Sequence, residues 1–581
     1  MADIVVPTQW QRTERKPRIL TRREEAIVEH TIRCFDQYRL MRDTFGSHWE
    51  EISELIDPPS RNTFFFGNYN WPGQKKTERQ VDATGMLALQ RFCAICISLL
   101  TPDNMKWHVL EAMDLDIQKK RNVRLWMDRQ VQKLFVARKM PTANFTGQNY
   151  PGFRALGAYG TRGMMVEPYF DPVNKTPGLR HINVPLGELY IHENFQGQVD
   201  GFIRNLRMTA RQMAQRFPDS WPQVIENALK MGSETPWNVL HHVELNQEYD
   251  PRAPQFDYRS RPWVSYYISM EGKCVLEESG YFSFPLAVGR YVQTPGEVYG
   301  RSPAMDVLPA LKTLNSEKRT FLTQGHRAAA PVLLTHDDGL MSMDMRPNAI
   351  NPGGVDSQGR LLVQVLPTGN IQVTKEMMDE ERGLINDSFL VSLLQILTES
   401  PEMTATEVLE RVNEKGILLA PTVGRQGDEM YGSMMIPREI DILSQFGMID
   451  PMPPELKEAG GLYKVTMKGP LAQAMRAGEA AGYQRSVQVA QERAQMTGDP
   501  SPLDIYDADT ADYEIATEIN GVPERWMASP KMILDRRKGR AQQTQIQQQI
   551  QALPAQAAMM KAQSTVDKNP PGGPQLPPAG P

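Results

Sequence analysis

Apolar residues recur every three or four positions over several long stretches, the spacing that lays one side of a helix against a core. Thr21 to Ile56 reads as such a helix, with Ile27, Ile32, Phe35, Leu40 and Trp49 as its buried side and Pro58-Pro59 as its stop. Asp82 to Leu100 is a second, ended by Thr101-Pro102, and Val123 to Met140 a third. The most organised stretch runs from Glu297 to Gly339. Tyr299-Gly300 is a turn, Ser302-Pro303 a helix start, and Pro309 suits a first helical turn, where its missing N–H costs nothing. Met305, Leu308, Leu311, Leu314, Phe321 and Leu322 then form an apolar stripe, opposite Lys312, Glu317, Lys318 and Arg319, to about His326. Pro331 ends it, Val332 to Thr335 are β-prone, and Asp337-Asp338-Gly339 turns the chain. A second helical run, Lys375 to Thr398, follows an interval with β-prone strips at Leu361 to Leu366 and Ile371 to Thr374 and a turn at Asn351 to Gly354. The two rods would span roughly 27 and 36 Å. With a small β-containing cap they bury too little surface to stand alone, so neighbouring copies are expected to complete their packing.

Residues 164–300 change period. Ile182 to Val184, Glu188 to His192, Val199 to Ile203, Trp263 to Met270 and Lys273 to Leu276 alternate as strands, and helices intervene at Thr209 to Phe217 and Trp221 to Met231. The fold class is therefore α+β. Just upstream, Gly147, Gly152, Gly157, Gly160 and Gly163 suggest close backbone packing. After the second rod, the loop Glu399 to Met403 leads into a capping box, Thr404-x-x-Glu407. That helix passes Gly416, is interrupted at Pro421, Gly424 and Gly427, perturbed at Pro437, and ends at Gly447; such interruptions bend a helix. Leu471 to Met496 is helical, Asp499 to Asn520 acidic, and Pro530 to Gln563 Gln-rich and largely helical, with few apolar positions that would bury best in a self-assembled bundle. Asn569 to Pro581 has the composition of a disordered tail.

A length of 581 residues implies several domains or subdomains. With 64 basic and 69 acidic residues, the formal charge of −5 is too balanced for a protein whose main work is gripping phosphates. Four cysteines, Cys34, Cys93, Cys96 and Cys274, suit a reducing compartment. No signal-peptide core opens the chain, and its most apolar helical run, Met86 to Leu100, is too short to span a bilayer and carries Gln90 and Arg91. A soluble protein made in a cytoplasm is expected. Residues 1–20 read as a solvated arm or one lying on a neighbouring subunit.

Candidate chemistry is sparse. Cys93-x-x-Cys96 lies mid-helix among Phe92, Ile95 and Ile97, with no second pair to complete a zinc site, and reads as buried core thiols. His241-His242 adjoins a strand without a third ligand at recognisable spacing, and reads as structural. The glycines at 147–163 lack the Gly-Lys-Ser/Thr ending of a phosphate loop. The aromatic loop Asn62 to Gly73, with Phe64, Phe65, Phe66, Tyr69 and Trp71, has no interleaved basic residue after Arg61, so burial is favoured over base stacking. Arg536-Arg537-Lys538 reads as a solvated face rather than a nucleic-acid contact. No catalytic, metal or cofactor residue is assigned, and an enzyme is not expected.

Several collinear blocks carry a resemblance. GEVYGRSPAMDVLPALKTLN, containing Tyr299, Gly300, Arg301, Ser302 and Pro303, is followed by MTATEVLERVNEKGILLAP, containing Thr404, Ala405, Thr406 and Glu407, and by GPLAQAMRA. Upstream lie DATGMLALQRFCAICISLLTPDNMKWHVL, YGTRGMMVEP and GELYIHENFQGQVDGFIRNLRMTARQMAQRFP. Together these resemble the head-to-tail connector, or portal, family of short-tailed bacteriophages, from about Thr21 to Arg493. The resemblance implies a multidomain α+β portal fold assembled as a closed ring of about twelve copies. Its parts would be an N-terminal arm (1–20), a wing (21–301 and 404–468), two stem helices (302–329 and 374–398), a clip (330–373), a tunnel loop (399–403), a crown (469–530), a Gln-rich C-terminal helix (531–563) and a disordered tail (564–581). Leu308, Leu311, Leu314, Phe321, Phe389, Leu393 and Ile396 would pack the stem. Glu399, Ser400, Pro401, Glu402 and Met403 would face double-stranded DNA in the channel, the two glutamates as rings of negative charge. Implied partners are other copies of the chain, the terminase packaging ATPase, the major capsid protein and tail adaptor or nozzle proteins, in the virion and with no membrane. The alternatives are a phage tail or internal scaffold protein that does not conduct DNA, and an enzyme using Cys93 and Cys96 or a nucleotide.

Overall fold

The structure, a computed structural model, describes residues 21–547 apart from 68–72, 172–175, 219, 221, 255–256, 336–343, 345, 347, 352–353, 368–370, 392–423, 500, 520–521, 523 and 530. The chain divides into two compact units, Met1–Gly521 and Val522–Pro581. Expectations for the arm 1–20, Tyr69, Trp71, the turn at 337–339, the loop 399–403, the capping box 404–407, Leu393, Ile396 and the tail 564–581 lie outside the described residues.

Alternation of side chains across a strand explains the largest sheet. Strands β4 (Leu189–Glu193), β5 (Val199–Thr209), β6 (Pro236–Leu245), β7 (Trp263–Ser269) and β8 (Cys274–Tyr281) pair antiparallel in sequence order. On β6, Val239 buries against Met213, Phe217 and Ile225 of two short helices, Ala210–Arg216 and Gln223–Lys230. Its neighbour Leu240 buries on the other face, against Phe35 of helix α1 (Arg22–Leu55). A side-chain period of two thus gives a sheet covered by helices on both faces.

Helix α1 begins at a capping box, in which Thr21 Oγ1 accepts from Glu24 N–H and the Glu24 side chain accepts from Thr21 N–H. Its buried side is Val28, Thr31, Cys34, Phe35, Arg42, Gly46, Trp49 and Ile52. Leu40, expected inside, is 68% exposed. The seam reaches its inward position two residues later, where Arg42 donates to the carbonyls of Gly187 (3.0 Å) and Phe64 (2.6 Å) and lies over the Tyr190 ring. A buried guanidinium so satisfied is tolerated in a core, and binary patterning reads it as surface.

Five strands, β6 among them, were not anticipated. β2 (Thr161–Phe170) pairs with β3 (Pro177–Val184) and β9 (Leu286–Arg290), and β1 (His108–Ala112) pairs with β12 (Tyr463–Met467). The first six residues of β2 are all buried, and a strand buried on both faces shows no alternation to read. Phe145–Tyr159 forms helix α5 despite Pro151 and its glycines. A Cβ on Gly157 would lie 2.7 Å from Leu89 and Phe92 of α2 (Thr84–Leu100), so the glycine lets the two helices touch.

Near the C-terminal side of the larger unit, Gly427–Met435 is a π-helix that runs without a break into Ile436–Gln445. Gly424 and Gly427, expected as interruptions, are helical, and Pro437 stands at the junction where the π-helix gives way to α-helix. A helix Pro470–Thr497 closes with Gly498 in the left-handed region (φ +70°), and the acidic stretch after it forms the short helix Ala508–Glu514. In the smaller unit, 531–547 is helical and exposed, Arg536, Arg537 and Lys538 included.

Candidate functional site

Residues Tyr299 to Pro303 tie a knot at the head of the helix pair. The buried Tyr299 hydroxyl accepts from Ile191 N–H at 3.2 Å, and its ring stands edge-on to Trp49, centroids 5.2 Å apart. Gly300 N–H donates to Thr161 Oγ1 at 2.8 Å. A Cβ on Gly300 would lie 2.4 Å from the Gly160 carbonyl oxygen, and one on Gly160, at φ +76°, 2.3 Å from the Gly300 oxygen. Two backbones therefore cross where only glycine fits. Arg301 bridges to Val292 through its backbone and pairs with Glu297 through its side chain. Ser302 caps the short helix Pro303–Asp306, its Oγ donating to Ala158 O (2.9 Å) and accepting from Met305 N–H (3.1 Å).

From this knot α9 (Leu308–Ala329) departs with Pro309 in its first turn. Leu308, Leu311 and Leu314 bury in the main core, and Phe321 packs at its margin. Its partner α10 (Ile371–Ser388) buries Met378 and Ile385, and the helix ends before buried Phe389, which meets Phe92 edge-on at 6.1 Å. Two expectations are corrected here. Ile371 to Thr374 is the first turn of α10 rather than a strand, with Gln372 bonded to Glu376 and Thr374 Oγ1 to Gln324 of α9 at 3.1 Å. β-branched residues lose only tenths of a kcal/mol in a helix, roughly, and packing overrides that. The helix expected to run unbroken from Lys375 is also interrupted after Ser388, with Leu390 at φ +62°, and residues 392–398 lie outside the described residues. Between the helices, Leu333–Thr335 and Val363–Val365 pair as an antiparallel β cap.

Apolar exposure concentrates on this pair and its cap. Leu334, Leu361, Val365, Met377 and Leu384 are each between 48% and 69% exposed. Among the described residues, the pair reaches the chain's own core through Leu308, Leu311 and Leu314 of α9 and Met378 and Ile385 of α10. Glu317 on α9 is pushed up from the usual carboxylate range by burial and then by the Glu381 charge on α10.

Buried charge holds the adjoining region. Arg138 of helix Arg121–Lys139 pairs with Glu439, which also bonds His181 Nε2 at 2.7 Å, while Arg138 Nη1 lies 2.7 Å from His108 Nε2. Burial would raise the Glu439 pKa, but the Arg138 charge and the hydrogen bonds of His181 and Arg138 bring it below the ordinary value. Arg290 pairs with Glu193 and Glu429, and Arg162 donates to Tyr431 Oη at 2.7 Å. None of these residues stood out in the sequence, because the partners are far apart along the chain and isolated Arg or Glu residues look like surface.

Cys93 and Cys96 are buried thiols, and burial pushes Cys93 up to about 12 and Cys96 in the same direction. That is the reverse of what a nucleophilic or redox thiolate needs. His241 and His242 lie within β6 on opposite faces. His241 donates to or accepts from Ser265 Oγ and stacks on Tyr267, whereas His242, held neutral by burial with a pKa lowered to about 4, faces α1. There, among the described residues, His30, His242 and Glu244 bring one ligand atom each within 4.8 Å of one another.

A helix-and-sheet body carrying an apolar-faced helix pair has the build of an assembling structural subunit. The family described as "Bacteriophage head to tail connecting protein" matches residues 29–527, and the chain belongs to that family. It is similar to the "Probable portal protein" of Bordetella phage BPP-1, 27% identical over 534 residues, 89% of this chain and 92% of that protein. It is also similar to the "Portal protein" of Salmonella phage epsilon15, 25% identical over 540 residues, 90% of this chain and 93% of that protein. A solved structure, the neck of an empty GTA particle computed with C6 symmetry, aligns over 72% of this chain and 90% of that one, at TM-score 0.33 and 10% identity. That last likeness is too distant to carry an argument.

Proposed function

We propose that this chain is a portal subunit, copies of which close into a ring at one capsid vertex through which the phage genome enters during packaging and leaves at ejection. The observation that carries the reading is family membership across residues 29–527, with relatives called portal proteins matched over nine-tenths of their length. The ring, about twelve copies, would be sealed by the apolar surface of α9, α10 and their β cap, which the subunit leaves exposed. In this reading α9 and α10 are the stem, the β cap is the clip, the large sheets belong to the wing, and the helices after residue 469 form the crown.

The work is mechanical and electrostatic rather than catalytic. A DNA duplex carries one charge about every 1.7 Å, so a conduit gripping phosphates would stall it, and a chain with slightly more acid than base suits a sliding surface. The loop 399–403 would face the DNA with Glu399 and Glu402. The packaging ATPase docks first at the clip end and tail proteins replace it, while the capsid protein surrounds the wing. Packaging in an infected host is the direct test. With the chain deleted, capsids are expected to stay empty, and labelled chain should mark one vertex of each filled particle; filled capsids without it would overturn the proposal. Replacing both Cys93 and Cys96 by Ala should leave packaging intact, whereas loss of packaging with rings still formed would favour thiol chemistry.

A further inference from the structure

We propose that α1 and β6 together build a site for a divalent transition-metal ion, with His30, Cys34, His242 and Glu244 as its ligands. His30 and Cys34 stand four residues apart and so share one face of a helix; His242 and Glu244 stand two apart and so share one face of a strand. That face of β6 is the one α1 covers, as the packing of Cys34 and Phe35 against Leu240 shows. The four side chains therefore converge although 214 residues separate His30 from Glu244.

One ligand atom each from His30, His242 and Glu244 lie within 4.8 Å of one another, and Cys34 stands against this trio beside His30. His30 Nε2 is 3.0 and 3.1 Å from the two Glu244 oxygens, His242 Nε2 is 3.7 Å from Glu244 Oε2, and Cys34 Sγ is 3.7 Å from His30 Nε2. Ligands on a tetrahedral ion at about 2.0–2.3 Å are roughly 3.3–3.8 Å apart, so small shifts bring His30, His242 and Glu244 onto one ion, and Cys34 Sγ joins them by turning about its Cα–Cβ bond.

A separate observation points to a missing cation. His242 Nε2 is buried and has no hydrogen-bond partner among the described residues, while Nδ1 lies 3.2 Å from Thr31 Oγ1. With the proton on Nδ1 and donated to Thr31, the Nε2 lone pair faces the Glu244 carboxylate at a separation too long for a hydrogen bond. An electron pair and an anion facing each other are satisfied by a positive ion between them, and Thr31 then serves as the outer partner that orients a ligating imidazole.

Binding is balanced in protons. Cys34 loses its thiol proton to solvent, and neutral His30 moves its proton from Nε2 to Nδ1, so Arg33, exposed and now donating to Nδ1 at 3.2 Å, turns aside. A dication with one thiolate and one carboxylate is neutral overall, which favours a partly buried position. Two imidazoles, one thiolate and one carboxylate select zinc-like ions over magnesium or calcium. His30 and Glu244 are part-exposed, leaving an entry path. The bound ion would staple α1 to the five-stranded sheet.

The test uses the full chain, purified under reductant, stripped with a chelator and titrated with Co²⁺. One equivalent should develop the visible bands of a tetrahedral ion and a thiolate-to-cobalt charge-transfer band, and Zn²⁺ should displace both. His30→Ala and Glu244→Gln, whose side chains are part-exposed, should each weaken binding tenfold or more while the chain keeps its circular-dichroism spectrum. Cys34→Ser should remove the charge-transfer band. No cobalt spectrum in the unaltered chain, undiminished affinity in both His30→Ala and Glu244→Gln, or a charge-transfer band surviving in Cys34→Ser would each overturn the proposal.

Discussion

At Gly300 a single hydrogen atom decides whether two backbones can cross. Substitution to Ala would force its Cβ against the Gly160 carbonyl, which neither strand β2 nor helix α5 can move aside. A loss of about 1–3 kcal/mol is expected, read as a lower denaturation midpoint of the isolated subunit; an unchanged midpoint would show that the crossing relaxes. Glu439 makes the electrostatic counterpart. Its removal as Glu439→Gln leaves Arg138 charged and unpaired in the core and should cost about 3–5 kcal/mol at neutral pH. The sign of its pH dependence follows from a folded pKa held below the unfolded one. The stability it contributes is present above the unfolded glutamate value, about 4.3, and is lost as pH falls through the lower folded value. Denaturation midpoints of Glu439→Gln and the unaltered chain should therefore converge below about pH 4; a constant gap would assign the loss to packing instead. Such residues were illegible in the sequence, since burial and partnership are properties of the folded chain.

Helix α9 shows what the sequence does disclose about an element. Ser302, Pro303, Pro309 and the stripe Leu308, Leu311, Leu314 are local signals, and the helix starts and packs where they indicate. Helix α10 shows the limit, because Ile371, Val373 and Thr374 carry β-prone side chains, while contact with α9 places them in a helix. Strand β2 shows another, its buried run offering neither period. The His30–Cys34 and His242–Glu244 pairs did not stand out in the sequence, because nothing local says that they meet. For the helix pair as an interface, Leu384→Asp should block assembly while leaving the subunit folded, since Leu384 is 55% exposed and outside the core. Circular dichroism together with sedimentation would separate that outcome from unfolding, and rings of unaltered size would place the contact elsewhere. Glu317→Gln acts in the opposite direction. The raised pKa of Glu317, set by burial first and by the Glu381 charge second, means that its ionised form costs stability at neutral pH and that acid relieves this cost by protonating it. The variant should melt slightly higher than the unaltered chain at pH 7 and no higher at pH 4; a lower melting point at pH 7 would contradict the charge argument.

Across the whole molecule, family membership spanning residues 29–527 goes with a subunit whose helix pair, among the described residues, leaves apolar surface exposed. Both are explained if the functional object is a ring and not a monomer. Balanced charge fits the same picture, in which the duplex passes without being held. Electron microscopy of the purified chain, with particles classified by symmetry, tests this most directly. Closed rings of one dominant symmetry, about twelvefold, with an axial hole wide enough for a duplex, are predicted. Monomers or open filaments persisting across salt and protein concentration would contradict it, and would turn the reading toward a tail or scaffold protein that conducts no DNA.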